Sequence, residues 1–371
     1  MNRHLTAISA ALALGLCASA GHAQTETVRF ACYIPITGPL AQFGANMQHG
    51  FEMALEDFEK SGKLKDATVT IDCEDDQNRA DDAINLARKF IEDDSYVASI
   101  GSWGSTVTLA AGPLYDKAKM VNITPISSHP DVTKVGPYVF RQSIIQSKEG
   151  PANAEYLNKL GVKKLAMIGL PNDYGKANMA LTRMAFEKSG GEVVFEEFIR
   201  PDAQDFRQVI QKAARTEPDM IYLGLFAPQA ALIAKQTRQL GIEIPFYGSA
   251  ALGTYDFPRL AGEAANGTRL LLVFNPATGD EMADFFKRYE EKYGSKPDAF
   301  AANSYITATT LLDIVAEQYP DVTRESIREG LDSQTTIDTI AGPTTYDPQT
   351  REWTFRFRDG VIEDGEFKIV E

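Results

Sequence analysis

Apolar residues fall into short runs that alternate with stretches of helical periodicity. An apolar run over 28–34 ends at Pro35, which predicts a strand closed by a breaker. Met47, Phe51, Leu55 and Phe58 then recur at helical spacing until Ser61-Gly62 stops the pattern. Strands are predicted over 67–73, 96–101 and 121–124. Helices are predicted after Asn78, with Ile84, Ala87, Phe90 and Ile91 on one face, and over 105–119. The alternation restarts near 150, with strands over 164–170, 192–198, 220–226 and 245–247 and helices over 175–188, 205–215 and 228–240. Strands separated by helices of this length predict βαβ units and parallel sheets, and two such runs predict two open α/β lobes. Further helices are expected over 280–293 and 299–318. Strands over 353–358 and 366–370, with Asp359-Gly360 and Asp364-Gly365 nearby, suggest a hairpin-like ending.

Residues 1–23 do not fit this scheme. Arg3 and His4 precede an apolar or small run over 5–20, too short to span a bilayer with comfort, and Gly21-His22-Ala23 resembles a signal-peptidase site. The segment reads as a secretory leader cleaved near Ala23, with cleavage after Ala20 as the alternative. Cys17 invites a lipoprotein reading, but Leu16 precedes it where lipidation signals want Gly, Ala or Ser. Export leaves Cys32 and Cys73, either paired in an oxidising compartment or buried as two thiols.

The 371 residues suggest two domains, and 44% hydrophobic with 24% charged residues excludes a disordered, collagen-like or polytopic membrane chain. A net charge of −14 opposes binding to phosphate backbones, so nucleic acid is not an expected partner.

Catalytic and cofactor motifs are absent. There is no phosphate-binding glycine loop, dinucleotide fingerprint or nucleophile elbow. His49 and His129 lack partners at metal-ligand spacing. Asp72-Cys73-Glu74-Asp75-Asp76 lacks the spacing of a calcium loop and reads as helix-capping acids. Ser128 and His129 are adjacent, a poor arrangement for proton transfer. No cofactor and no metal are expected, and the chain is not read as an enzyme.

What remains is binding chemistry beyond the carboxyl ends of the strands. Ser102, Ser105 and Thr106 sit where a helix begins, where hydroxyls and free N–H groups can hold a carboxylate without a cationic side chain. Ser105 serves equally as a plain helix cap. Phe43, Trp103, Tyr174 and Phe226 could form apolar walls.

The stretch Ile36-Thr37-Gly38-Pro39-Leu40-Ala41-Gln42-Phe43-Gly44 resembles the opening of the leucine/isoleucine/valine-binding family of periplasmic receptors for ABC importers. Glu74-Asp75-Asp76, Ile123-Thr124-Pro125, Asn172-Asp173-Tyr174-Gly175 and Asp205-Phe206 extend the resemblance along nearly the whole mature chain. It implies the type I periplasmic binding protein fold, two Rossmann-like lobes joined by a three-strand hinge with the ligand between them. Carried over, lobe one is 24–145 plus 276–350 and lobe two is 146–275 plus 351–371, with crossings near 143–147, 273–277 and 345–352. The implied carboxylate ligands are Ser105, Thr106 and Ser128, with the backbone of Ile126. Tyr174, Phe226 and Phe43 are the implied aromatic contacts. The family's first two strands lie side by side, which implies that Cys32 and Cys73 are neighbours. The implied partners are a small carboxylate solute and a membrane permease with its ATPase, for a monomeric receptor in the periplasm.

One departure bears on the solute. Amino-acid binders of this family carry an acid after the Tyr-Gly of the ninth strand, where this chain has Ser249 and Ala250. An unpaired buried ammonium is costly. Either the solute lacks an α-amino group, as an aromatic or keto acid or an amide would, or another acid serves, Asp256 being the nearest. Outside transport, the fold is also compatible with a ligand sensor or a secreted enzyme.

Overall fold

The computed structural model describes residues 26–370; the leader segment and Cys17 lie outside them. The first run comprises β1 (Glu26–Ile34), α1 (Ala41–Ser61), β2 (Ala67–Asp75), α2 (Ala80–Glu92), β3 (Tyr96–Gly101), α3 (Ser105–Lys117), β4 (Val121–Thr124) and β5 (Val139–Arg141). The second comprises α4 (Gln146–Lys159), β6 (Lys164–Gly169), α5 (Asp173–Lys188), β7 (Glu192–Phe198), α6 (Arg207–Ala214), β8 (Met220–Gly224), α7 (Ala227–Gln239), β9 (Phe246–Gly248), α8 (Asp256–Ala261) and β10 (Arg269–Leu272). Then follow α9 (Asp280–Tyr293), α10 (Ala299–Gln318), α11 (Arg324–Asp332), β11 (Thr336–Thr339), β12 (Gly342–Asp347), β13 (Glu352–Thr354), β14 (Arg358–Glu363) and β15 (Glu366–Ile369).

The strands form two sheets. One has eight strands in the order β11-β12-β13-β5-β4-β3-β1-β2, the other seven in the order β15-β14-β10-β9-β8-β6-β7. Each has a parallel centre built from βα units, with antiparallel strands added from the last part of the chain. The chain passes between the sheets after β5, after β10 and after β13.

The third passage differs from the expected position. The resemblance places residues 351–354 in lobe two, but β13 pairs with β12 through Tyr346 and Trp353 and with β5 through Glu352 and Arg141. Trp353 is fully buried and its ring lies 4.5 Å from that of Tyr346. The buried Arg141 guanidinium pairs with the Glu352 carboxylate and donates to the His129 carbonyl at 2.5 Å, tying the end of β5 to β13. The crossing therefore falls at 355–357, and the single strand expected over 353–358 is the ends of two strands in different sheets. The hairpin turn lies at Asp364-Gly365, both at positive φ, while Asp359-Gly360 lies inside β14.

In the first lobe, Phe43, Met47, Phe51 and Ala54 form the buried face of α1, which packs on α10. Gly50 permits this approach, since a Cβ there would lie 2.3 Å from the Ala301 carbonyl oxygen. Helix α10 is buried on nearly every side, which is why its sequence carries no strong amphipathic stripe. Cys32 on β1 and Cys73 on β2 are register partners, 4.2 Å apart at Cα, and form a disulfide.

Candidate ligand cleft between the lobes

Two loops of the first lobe are held together by their own polar side chains. Thr124, at the end of β4, donates its hydroxyl to the Ser102 carbonyl at 2.8 Å and accepts the Ser127 N–H at 2.9 Å. Ser102 itself is fully buried and donates to Asp76 at 2.5 Å, so it anchors the loop and does not face the cleft. Ser105 Oγ accepts the His129 N–H at 3.3 Å, and the Ser128 carbonyl accepts the Gln146 N–H at 3.1 Å. Gly104 occupies the N-cap of α3 and supplies no capping side chain, which leaves the first-turn N–H groups for other partners. The Ile126 backbone is already engaged: its N–H goes to Thr124 at 3.2 Å and its carbonyl accepts from Ser143 at 2.9 Å.

The second lobe contributes the start of α5. Asn172 caps it by accepting the Gly175 N–H at 2.8 Å. A Cβ at Gly175 would lie 2.2 Å from the Leu170 carbonyl oxygen, so glycine lets the helix begin tight against the end of β6. This sets Tyr174 in the first turn, where its hydroxyl donates to Ser249 Oγ at 2.9 Å. Phe226, at the N-cap of α7, stacks on Tyr174 with ring centroids 5.0 Å apart. After β9 the chain turns at Ala250, whose N–H is accepted by Glu149 at 2.9 Å.

These pieces enclose a cavity of about 60 Å³, room for several waters or one small solute. Ser105, Thr106, Ile126, Ser128, Tyr174, Phe226 and Ala250 all line it. Phe43 does not. It is buried behind the lining, its ring 5.1 Å from both Trp103 and Phe300, and so acts through Trp103. Sequence reasoning missed Asn78, Ile144, Glu149, Phe300 and Asn303, which also line the cavity. Glu149 lies on α4, a helix with no counterpart among the predicted elements, in which Gly150 and Pro151 both sit. Phe300 and Asn303 lie on α10, where burial all round removes any pattern that would single them out.

A family model described as periplasmic binding protein matches residues 27–358. The chain belongs to the periplasmic binding protein family. The Leu/Ile/Val-binding protein of Escherichia coli K12 is 27% identical over 344 residues, 92% of each chain. A solved leucine-binding protein from Thermotoga maritima superposes with a TM-score of 0.85 at 26% identity, covering 93% of this chain and 98% of that one. A solute-binding protein of an ABC transporter from Rhodopseudomonas palustris BisB5, solved with 3,4-dihydroxybenzoic acid, shares the fold with a TM-score of 0.85 at 22% identity, covering 92% and 96%. Membership of this family makes the chain a solute-binding receptor and not an enzyme.

The cleft of this periplasmic binding protein holds an acid and no cationic side chain among its described lining residues. No lysine or arginine is among the described residues that line it. The acid in the cleft is Glu149, buried and raised in pKa by that burial. Asp256, the nearest alternative acid along the sequence, is paired with Arg259 at 2.5 Å and lines a separate surface recess. The remaining candidates have structural partners. Asp75 accepts from the Ile36 N–H at 2.8 Å, the Gln77 N–H at 2.9 Å and the Thr37 hydroxyl, pinning the loop that precedes α1. His129 Nδ1 accepts the Asp131 N–H at 3.1 Å, and His49 hydrogen-bonds Tyr289 at 2.9 Å.

Proposed function

We propose that the chain is an exported receptor that captures a small carboxylate solute between its lobes and delivers it to an inner-membrane ABC permease and its ATPase. One observation carries this reading. The first-lobe wall of the cavity offers Ser105, Thr106 and Ser128 together with the uncapped first turn of α3, and no cationic side chain. Such a cradle holds a carboxylate through neutral donors and a helix dipole. Trp103, Tyr174, Phe226 and Phe300 supply apolar walls for the rest of the solute. The Escherichia coli relative's name supports a branched-chain or other apolar amino acid as the solute. The aromatic lining favours a second reading, an aromatic carboxylate such as that bound by the Rhodopseudomonas palustris protein. In either case the receptor acts as a monomer in the periplasm after cleavage near Ala23. Binding joins the lobes, and the closed form is what the permease recognises.

A thermal-shift screen of amino acids, aromatic acids, keto acids and amides tests the proposal. A true solute at 100-fold excess over its Kd stabilises the fold by about 2.7 kcal/mol. Absence of a shift across all four classes overturns it.

A further inference from the structure

Ala250 stands where an acid would meet the solute's ammonium, yet its surroundings are not neutral. The Glu149 carboxylate, from a point 101 residues earlier, reaches the Ala250 backbone N–H at 2.9 Å and lines the same cavity. Glu149 is 2% exposed, and no lysine, arginine or histidine pairs with it among the described residues. Its neighbours form a buried polar network. The Tyr247 hydroxyl donates to Asn153 Oδ1 at 3.0 Å, and the Tyr222 hydroxyl donates to Asn178 Oδ1 at 2.6 Å. Asn153 in turn donates to the Thr182 and Tyr222 hydroxyls at 3.1 and 3.2 Å, and the nearby Asn153 and Asn178 amides favour the charged form of Glu149 against the larger effect of its burial. Glu149 is thus an acid set in the wall of a cavity whose described lining residues include no cation.

We propose that Glu149 is the acceptor for an ammonium group on the solute, and that it makes the cleft select α-amino acids over their des-amino and keto counterparts. This inference rests on the receptor reading above. Two anions, Glu149 and a solute carboxylate, would share one water-poor cavity at high cost. An ammonium on the solute removes that cost by pairing with Glu149, while the solute carboxylate goes to Ser105, Thr106 and Ser128 on the opposite lobe. The zwitterion then bridges the lobes, and each lobe recognises one of its charges. Burial raises the pKa of Glu149, so an uncompensated charge there is disfavoured and a cationic partner is favoured. The titratable side chains facing it, Tyr174 of α5, Tyr222 of β8 and Tyr247 of β9, are themselves raised by burial and stay neutral. Ammonium binding therefore has Glu149 alone as its charged partner.

Calorimetry with L-leucine, 4-methylpentanoate, 4-methyl-2-oxopentanoate, L-phenylalanine and 3-phenylpropanoate tests the inference. The protein should bind at least one amino acid tenfold or more tightly than its des-amino or keto partners. Glu149→Gln, which keeps the size of the side chain and removes its charge, should weaken that amino acid at least thirtyfold and leave the des-amino acid equal or tighter. Glu149→Asp should retain the preference for the amino acid. Wild-type protein binding a des-amino or keto acid as tightly as the amino acid overturns the role of Glu149 and leaves the receptor reading intact. So does a Glu149→Gln variant that keeps its preference. Binding of none of the five probes overturns the amino-acid preference, and the receptor reading then stands or falls on the wider thermal-shift screen. The wild-type comparison needs no variant, so a misfolded Glu149→Gln protein does not shield the inference.

Discussion

The ring of Trp103, on the loop that precedes α3, lies 4.6 Å from the ring of Phe226 at the start of α7. The two residues belong to different lobes and line the same cavity, so this contact exists only when the lobes are together. Replacing Trp103 by alanine removes both the interlobe contact and a wall of the cavity. Solute affinity should fall by roughly 2–4 kcal/mol, the range of a central aromatic anchor. The loss should appear mainly in the dissociation rate, which stopped-flow fluorescence on Tyr174 and neighbouring aromatics would read. An unchanged rate would mean that closure does not depend on this pair.

Ser105 and Ser128 are expected to share the solute carboxylate. Ser105→Ala should weaken binding by roughly 1–3 kcal/mol, the worth of a hydrogen bond to a charged group together with the desolvation of what is left. Ser128→Ala should act in the same range. Neither should lower the melting temperature of the solute-free protein by more than a few degrees, because the loop is held by Thr124, Ser127 and Ser102. Calorimetry and thermal denaturation on the same preparations separate the two effects.

The disulfide joins residues 41 apart in sequence. In the chain-entropy account, closing a loop of that length constrains the unfolded state by about 4 kcal/mol. Unfolded, unreduced protein should titrate with no free thiol, and reductant should lower the urea midpoint. Two titratable thiols per mature chain would show that the pair does not form in solution.

Asp298 caps α10 through the Phe300 and Ala301 N–H groups at 2.9 and 3.0 Å, and burial lifts its pKa from 3.8 to about 6. The folded chain keeps this proton up to about pH 6, whereas the unfolded chain loses it near pH 4. The folded state thus binds more protons in that window, and this group's contribution to stability declines as pH rises through it. Above about pH 6 the decline is complete. Asp298→Asn should flatten the curve of stability against pH between 4 and 6, by up to about 1.4 kcal/mol per pH unit. Urea midpoints measured at half-unit steps for both proteins would reveal it, and parallel curves would count against the assignment.

The two βα runs were legible because each strand is a short apolar run and each helix carries a stripe. Strands β3, β4 and β7 and helices α9 and α10 fall at their expected bounds. The third crossing was not legible, because only Phe355, Arg356 and Phe357 separate β13 from β14 and they continue the alternating apolar pattern of a strand, so that only pairing partners distinguish the two. At the cleft, residues that sit just past strand ends were found from sequence, since position along the βα unit decides their place. Glu149 was not, because its place in the cavity wall goes with a contact to Ala250 that no local pattern encodes, and its helix contains the Gly150-Pro151 pair. Asp256, close to Ala250 along the chain, is by contrast paired with Arg259 and lines a separate recess.

The three passages between the sheets also govern how the chain is made. Strands β11, β12 and β13 complete one sheet and β14 and β15 the other, so neither is finished until residues beyond 350 have been synthesised. Domains whose segments are contiguous can fold one after another as they emerge from the ribosome. Here neither lobe has that option, and the late pairings span long loops that form slowly. A nascent chain of this design lacks complete sheets until nearly all of it has been synthesised. For a protein destined to leave the compartment where it is made, that postponement keeps it threadable until it has been handed across.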